Sequence, residues 1–243
     1  MQNVDLGGRS RTRRRTGPAG LIGPLNAELH DAAELADVVA LRAALAEGAD
    51  VDARKIYSWH GDQTALYAVV SHLAAPVYGS ASASEEARTE CVRALLEAGA
   101  SPSATQKSSI SHHIGTHAAL HEAACHGWYA ITKLLLDAGA DVNSSNAPTF
   151  ITPLKYAANS HGPQMKKQRV AALLLSRGAS DNDIPGLVPY SSPYILKIRA
   201  AGGFPNYERQ HRAKLVAMLA PKLLLPPELV SIVISFWVHV GCH

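Results

Sequence analysis

The stretch that decides the fold runs Ala119-Leu120-His121-Glu122-Ala123-Ala124, continues through an apolar run at 131–136, and closes on Ala138-Gly139-Ala140-Asp141-Val142-Asn143. Each position has a physical role. Leucines at helical spacing supply a buried stripe. The paired alanines let two helices approach closely. Gly139 follows the last helical turn, where the backbone must turn left-handed and glycine does so at least cost. The segment therefore reads as two short helices joined by a tight turn, followed by a loop.

The same pattern recurs along the chain. Its closing phrase appears as Glu47-Gly48-Ala49-Asp50, Ala98-Gly99-Ala100-Ser101 and Arg177-Gly178-Ala179-Ser180. Apolar runs precede these at 41–45, 92–96 and 170–175. The opening phrase appears as Glu28-Leu29-His30-Asp31-Ala32-Ala33, Thr64-Ala65-Leu66-Tyr67 and Thr152-Pro153-Leu154-Lys155-Tyr156-Ala157-Ala158. A Thr ahead of the first helix can cap free N–H groups, and Pro fits the first helical position. One such hairpin cannot bury its own apolar face, and stacking several makes the core continuous.

These four copies resemble the ankyrin repeat, whose consensus reads Thr-Pro-Leu-His-x-Ala-Ala, a leucine helix, then Gly-Ala-Asp-x-Asn. The resemblance covers about 26–180 and implies an all-α solenoid of helix-turn-helix units. The expected organisation is a basic, disordered tail at 1–24, then repeats at about 25–53, 62–104, 116–146 and 150–181. A degenerate fifth unit and a C-terminal helical cap follow at 182–243. Successive glycines are 51, 40 and 39 residues apart, against ~33 in the family. The excess is expected in loops, which a solenoid tolerates. It falls in the fingers at 51–63 and 102–117, and between the helices of the second and fourth copies. Val69 and Val70 replace the paired alanines in the second copy, where a looser layer is expected.

Composition supports helices. Of 243 residues, 47% are hydrophobic and only 6% aromatic, a balance that excludes a wholly disordered chain and argues against a sandwich or barrel. Cys91, Cys125 and Cys242 are too few and scattered for a disulfide framework and suit a reducing, cytoplasmic or nuclear setting. The N-terminus has no apolar run of the secretory type. The longest apolar run, 229–240, falls short of the ~20 residues a membrane span needs. Five of the 23 basic residues lie at Arg9, Arg11, Arg13, Arg14 and Arg15, where they could act as a nuclear import signal or bind acidic partners. Residues 18–243 carry 18 basic and 19 acidic residues. Nucleic acid is therefore not the expected partner, except through the arginine tail.

No phosphate loop, nucleophile elbow or His-Glu-x-x-His motif occurs. His112, His113, His117, His121, Cys125 and His126 cluster in the third copy. They lack the closed four-ligand spacing of a zinc finger, so no metal or other cofactor is expected. In the ankyrin resemblance His121 bonds backbone of the next finger. The implied function is a non-catalytic protein–protein interaction module with its partner on the concave surface, and no small-molecule substrate. Aromatic and groove-facing residues are the candidate contacts: Tyr57, Trp59, Glu122, Trp128, Tyr129, Phe150 and Tyr156. Asp31 and Glu34 should face the same groove. For Trp59 and Phe150 the alternative is packing within their own fingers.

Beyond the fourth copy, helices are expected at about 194–201 and 207–219, the latter with Leu215, Met218 and Leu219 inward. The run Leu225-Pro226-Pro227-Glu228-Leu229 then opens an apolar helix through 238. It resembles the opening helix of an F-box, a family whose helix docks on a ubiquitin-ligase adaptor and which continues for two more helices. Two readings stand. The helix caps the solenoid, or the protein is a substrate-recognition subunit of a ubiquitin ligase that docks through Leu229, Ile232, Phe236 and Trp237.

Overall fold

The computed structural model describes residues 23–57, 61–71, 83–108, 115–146, 150–159, 164–180, 193–223 and 226–232. The arginine tail, Trp59, Phe236 and Trp237 lie outside them.

Four helical hairpins stand in file: α1 (Pro24–Leu35) with α2 (Val38–Ala46), α3 (Ala65–Val70) with α4 (Glu85–Glu97), α5 (Ala119–His126) with α6 (Tyr129–Asp137), and α7 (Pro153–Asn159) with α8 (Gln164–Ser176). Within each pair the helices pack on each other. Across pairs α1, α3, α5 and α7 form one layer, and α2, α4, α6 and α8 form the second. One hydrophobic core runs the length of the stack, with Leu29, Leu66, Leu120 and Leu154 of the inner layer and Leu41, Leu95, Leu135 and Leu174 of the outer layer all fully buried. Val69 and Val70 are fully buried as well. No helix among the described residues is long and apolar enough to cross a membrane.

The termini of these helices follow from the repeated phrases. Gly48, Gly99, Gly139 and Gly178 take φ between 88° and 98°, and the amides after them reach back to Ala44, Leu95, Leu135 and Leu174. That arrangement satisfies carbonyls the helix would otherwise leave open. Thr64 Oγ1 accepts from Tyr67 N at 3.3 Å, as the capping argument expects.

The long fingers are ordered as strands. β1 (Arg54–Tyr57), β2 (Gly61–Thr64), β3 (Thr105–Ser108) and β4 (Gly115–Ala118) form one antiparallel sheet in the order β1-β2-β3-β4. It joins the first finger to the second, with Asp62 opposite Lys107. The third finger carries an isolated bridge between Asn146 and Ile151.

After the fourth hairpin, α9 (Pro193–Ala200) buries Ile195 and Ile198 in the core. The twenty-residue α10 (Phe204–Leu223) packs on α8 and α9. Here the structure corrects one expectation: Met218 is 57% exposed, and Leu215 is only half-buried. The helix touches the array through its earlier turns, around Tyr207, which stacks edge-on against Tyr194. Its later turns stand away from the core.

Candidate functional site: the elbow between fingers and inner helices

Side chains alternate between the two faces of a strand, so register decides which residues look the same way. Lys55 pairs with Gln63, and Gln106 with His117. The Asp62–Lys107 pairing sets Gln63 beside Gln106. Lys55, Gln63, Gln106 and His117 therefore form one row across the sheet. The row faces the inner helices, because Lys55 Nζ lies 2.5 Å from Asp31 Oδ1 and 3.4 Å from Glu34 Oε1 of α1. Gln63 and Gln106 are buried. Asp31 and Glu34 thus sit in the groove, already engaged by the first finger.

The floor of the elbow carries a second polar chain. Tyr67 of α3 donates its hydroxyl to Glu122 Oε1 of α5 at 3.1 Å. Glu122 stands 3.9 Å from His126 Nε2 on the same helix. Burial, then the Glu122 charge, push the Tyr67 phenol well above its ordinary range. The same two causes raise Tyr156 to about 12. Tyr156 OH accepts from Asn146 Nδ2 at 3.1 Å. Asn146 is buried, and it also approaches His117 Nε2 at 3.4 Å while accepting from Ile151 N at 2.7 Å. Asn146 is thus the hub that ties the third finger to the second finger and to α7.

His121 takes the position that the consensus gives to histidine. Its Nδ1 accepts from Ala118 N at 3.2 Å, which leaves Nε2 protonated and donating to Ser144 O at 3.1 Å. His30 makes the equivalent bond to Ala53 O at 2.9 Å, at the same interval of twenty-three residues. Desolvation, then His117, lower His121 to about 4, and burial lowers His30. Both are neutral anchors of the fingers.

The sequence-derived contact residues fall in three places. Glu122 and Tyr156 share the elbow. Trp128 and Tyr129 lie at the hairpin turn of the third repeat. There Trp128 stacks on His126 with ring centroids 4.5 Å apart and lies under the Arg88 guanidinium at 5.6 Å. Arg88 is itself buried and donates to the Val69 carbonyl. Tyr129 lies under Arg169 at 4.9 Å. Phe150 stands on the third finger at φ 52°, 56% exposed. Tyr57 closes β1. At the C-terminal end residues 227–232 are helical, with Val230 fully buried and Leu229 and Ile232 48% and 62% exposed.

Four contributors were not singled out from sequence: Lys55, Tyr67, Asn146 and Arg54. Arg54 Nε donates to Asp62 Oδ2 at 2.7 Å, and its Nη2 reaches Thr105 O at 2.6 Å. It thereby staples the first finger to the second. Among the described residues no group of three or more His, Cys, Asp or Glu stands together as a metal site. Cys91 is buried, and burial pushes its thiol up to about 11.

This geometry of stacked hairpins, left-handed glycines and histidine-anchored fingers has a counterpart among known families. Residues 80–184 match the family model for ankyrin repeats, in three copies. Over those residues the chain is similar to ankyrin repeats. The hairpin α1–α2, ahead of the matched residues, repeats the same bonds at the same spacing, including His30 to Ala53. No curated protein matches the chain. Ankyrin repeats are protein–protein interaction modules and are generally non-catalytic.

Proposed function

We propose that the protein binds a protein segment in the elbow between its finger sheet and the inner helices α1, α3, α5 and α7, without catalysis. What carries this reading is the continuous row Lys55–Gln63–Gln106–His117 above the Tyr67–Glu122 pair. That row, buried at Gln63 and Gln106, fixes the shape of the elbow, and a partner would meet the exposed Asp31 at its edge. Phe150, exposed on the third finger, supplies an apolar contact at the rim. The setting that goes with this reading is the cytoplasm or nucleus, in keeping with Cys91 and Cys125 standing as thiols. The test is proximity labelling with a chain carrying Asp31→Ala and Phe150→Ala, two exposed sites. Binding in the elbow predicts loss of the labelled partners at an unchanged melting temperature. Undiminished labelling would contradict it.

A second reading, a substrate-recognition subunit of a ubiquitin ligase, is favoured by one observation. Leu229 and Ile232 are exposed beside the buried Val230, so this helix presents apolar side chains as a docking helix does. Removing residues 222–243 should then release a ligase adaptor from pull-downs while elbow partners remain. If no adaptor co-purifies with the full chain, the second reading fails.

A further inference from the structure

The charge that nearly cancels over the whole body is divided by position. Residues 23–53, the first hairpin and its loop, carry seven carboxylates against the single cation Arg42; with Asp31 and Glu34 set against Lys55, Glu28, Asp37, Glu47, Asp50 and Asp52 remain. Residues 193–223, spanning α9 and α10, carry six Lys and Arg against the single carboxylate Glu208. One end of the stack is acidic and the other basic.

Both ends also leave apolar side chains uncovered. On the first hairpin Leu35 is 66% and Val39 80% exposed. On α10 Met218 is 57% and Leu223 46% exposed. A terminal repeat that faces only water needs a polar outer face, since every internal repeat buries both sides. Between its own repeats this chain sets opposite charges across the seams. Arg42 reaches Glu97 at 3.9 Å and Arg177 reaches Asp137 at 2.5 Å between neighbouring repeats, and Lys166 reaches Glu85 at 3.1 Å from the fourth hairpin to the second.

We propose that copies of this chain associate head to tail, the acidic first hairpin of one copy against the basic α10 of the next. The contact would continue the charge pairing of the internal seams and cover the apolar residues at both ends. It joins two different surfaces, so each added copy leaves one free acidic and one free basic end, and assembly proceeds in series. The inference is independent of what the elbow binds.

Sedimentation velocity on the full chain tests it. Species at multiples of the 25.8 kDa chain should grow with concentration. Added salt should weaken association about tenfold or more, because the ends attract by charge. Two variants at exposed positions separate the surfaces: Leu35→Lys with Val39→Lys blocks the head, and Lys214→Glu with Met218→Glu blocks the tail. Each alone should be monomeric with unchanged circular dichroism and urea midpoint. Mixed, they should form a one-to-one dimer and nothing larger, since one intact tail meets one intact head. A wild-type chain that stays monomeric throughout would overturn the proposal. So would a dimer that persists in either variant alone, which marks a symmetric contact, or a mixture that fails to pair. Association appearing only once residues 1–22 are removed would assign the acidic face to the chain's own arginines, and would overturn it too.

Discussion

His121 Nε2 donates to the carbonyl oxygen of Ser144 at 3.1 Å, tying the third inner helix to the finger that follows it. The bond needs a neutral ring, because Nδ1 accepts from Ala118 N. With its pKa at about 4 when folded, against 6.5 for the unperturbed side chain, the ring binds fewer protons folded than unfolded below pH 6.5. Stability is therefore full above that pH and falls as pH drops toward 4, by on the order of 3 kcal/mol for this residue. His30, lowered by burial, adds in the same direction. Urea titrations between pH 7 and 4 should show this decline. In His121→Gln the slope should be shallower, from a lower starting stability.

Ala36 and Gly127 occupy the same place in the first and third repeats, at the end of the inner helix, with φ of 51° and 74°. An L-residue with a side chain pays about 1 kcal/mol in this conformation, so Ala36→Gly should stabilise by about that amount. Gly127→Ala should destabilise by more. Beyond the backbone strain, its new Cβ would stand 3.1 Å from Lys166 Cβ. Thermal melts of the two variants should shift in opposite directions.

Asn143 Oδ1 accepts from Ser180 N at 2.8 Å, and its Nδ2 donates to Gly178 O at 3.1 Å, so this side chain latches the third repeat to the fourth. Asp52 does the same for the first seam, accepting from Ser101 N at 3.0 Å. The matching position in the second repeat is Ser103, which borders a cleft of about 150 Å³ beside Asp141 and Ser144. Asn143→Ala should cost about 1 kcal/mol, and Ser103→Asn, with room to extend, should gain about 0.5–1 kcal/mol. Urea midpoints measure both.

Arg54 fixes the finger sheet through a fork that lysine cannot reproduce. Arg54→Lys should leave the helical core intact, at a global cost of about 1 kcal/mol or less. Amide exchange in β2 and β3 should accelerate. Unchanged exchange there would show that the strands hold without the staple.

The helical array was legible because its signals are local. Gly139 turns the chain at the end of its own helix and His121 accepts from Ala118 N three residues back, and the family pattern assembles such phrases. The finger sheet was not legible. The strands are four residues each and mostly polar, and the pairing that joins the two fingers, Asp62 with Lys107, links segments far apart in the chain. For the same reason Tyr67 gave no hint of Glu122, nor Arg54 of Thr105. Aromatic character singles out Phe150 and Trp128 as candidate contacts, yet it does not tell that Trp128 stacks on His126 and lies under Arg88. Spacing on α10 points Met218 inward, whereas it is 57% exposed. Spacing defines a face of a helix, and only the neighbouring elements decide whether that face is covered.

The central claim is that these hairpins share one core and support one another through their seams. Hydrogen exchange on Leu120→Ala tests it most directly, because Leu120 is fully buried at the middle of the stack. The truncation should cost about 3 kcal/mol, and the account predicts that lost protection spreads from α5 into α3 and α7 on either side. Protection lost in α5 and α6 alone, with α3 and α7 exchanging as in the unaltered chain, would contradict it.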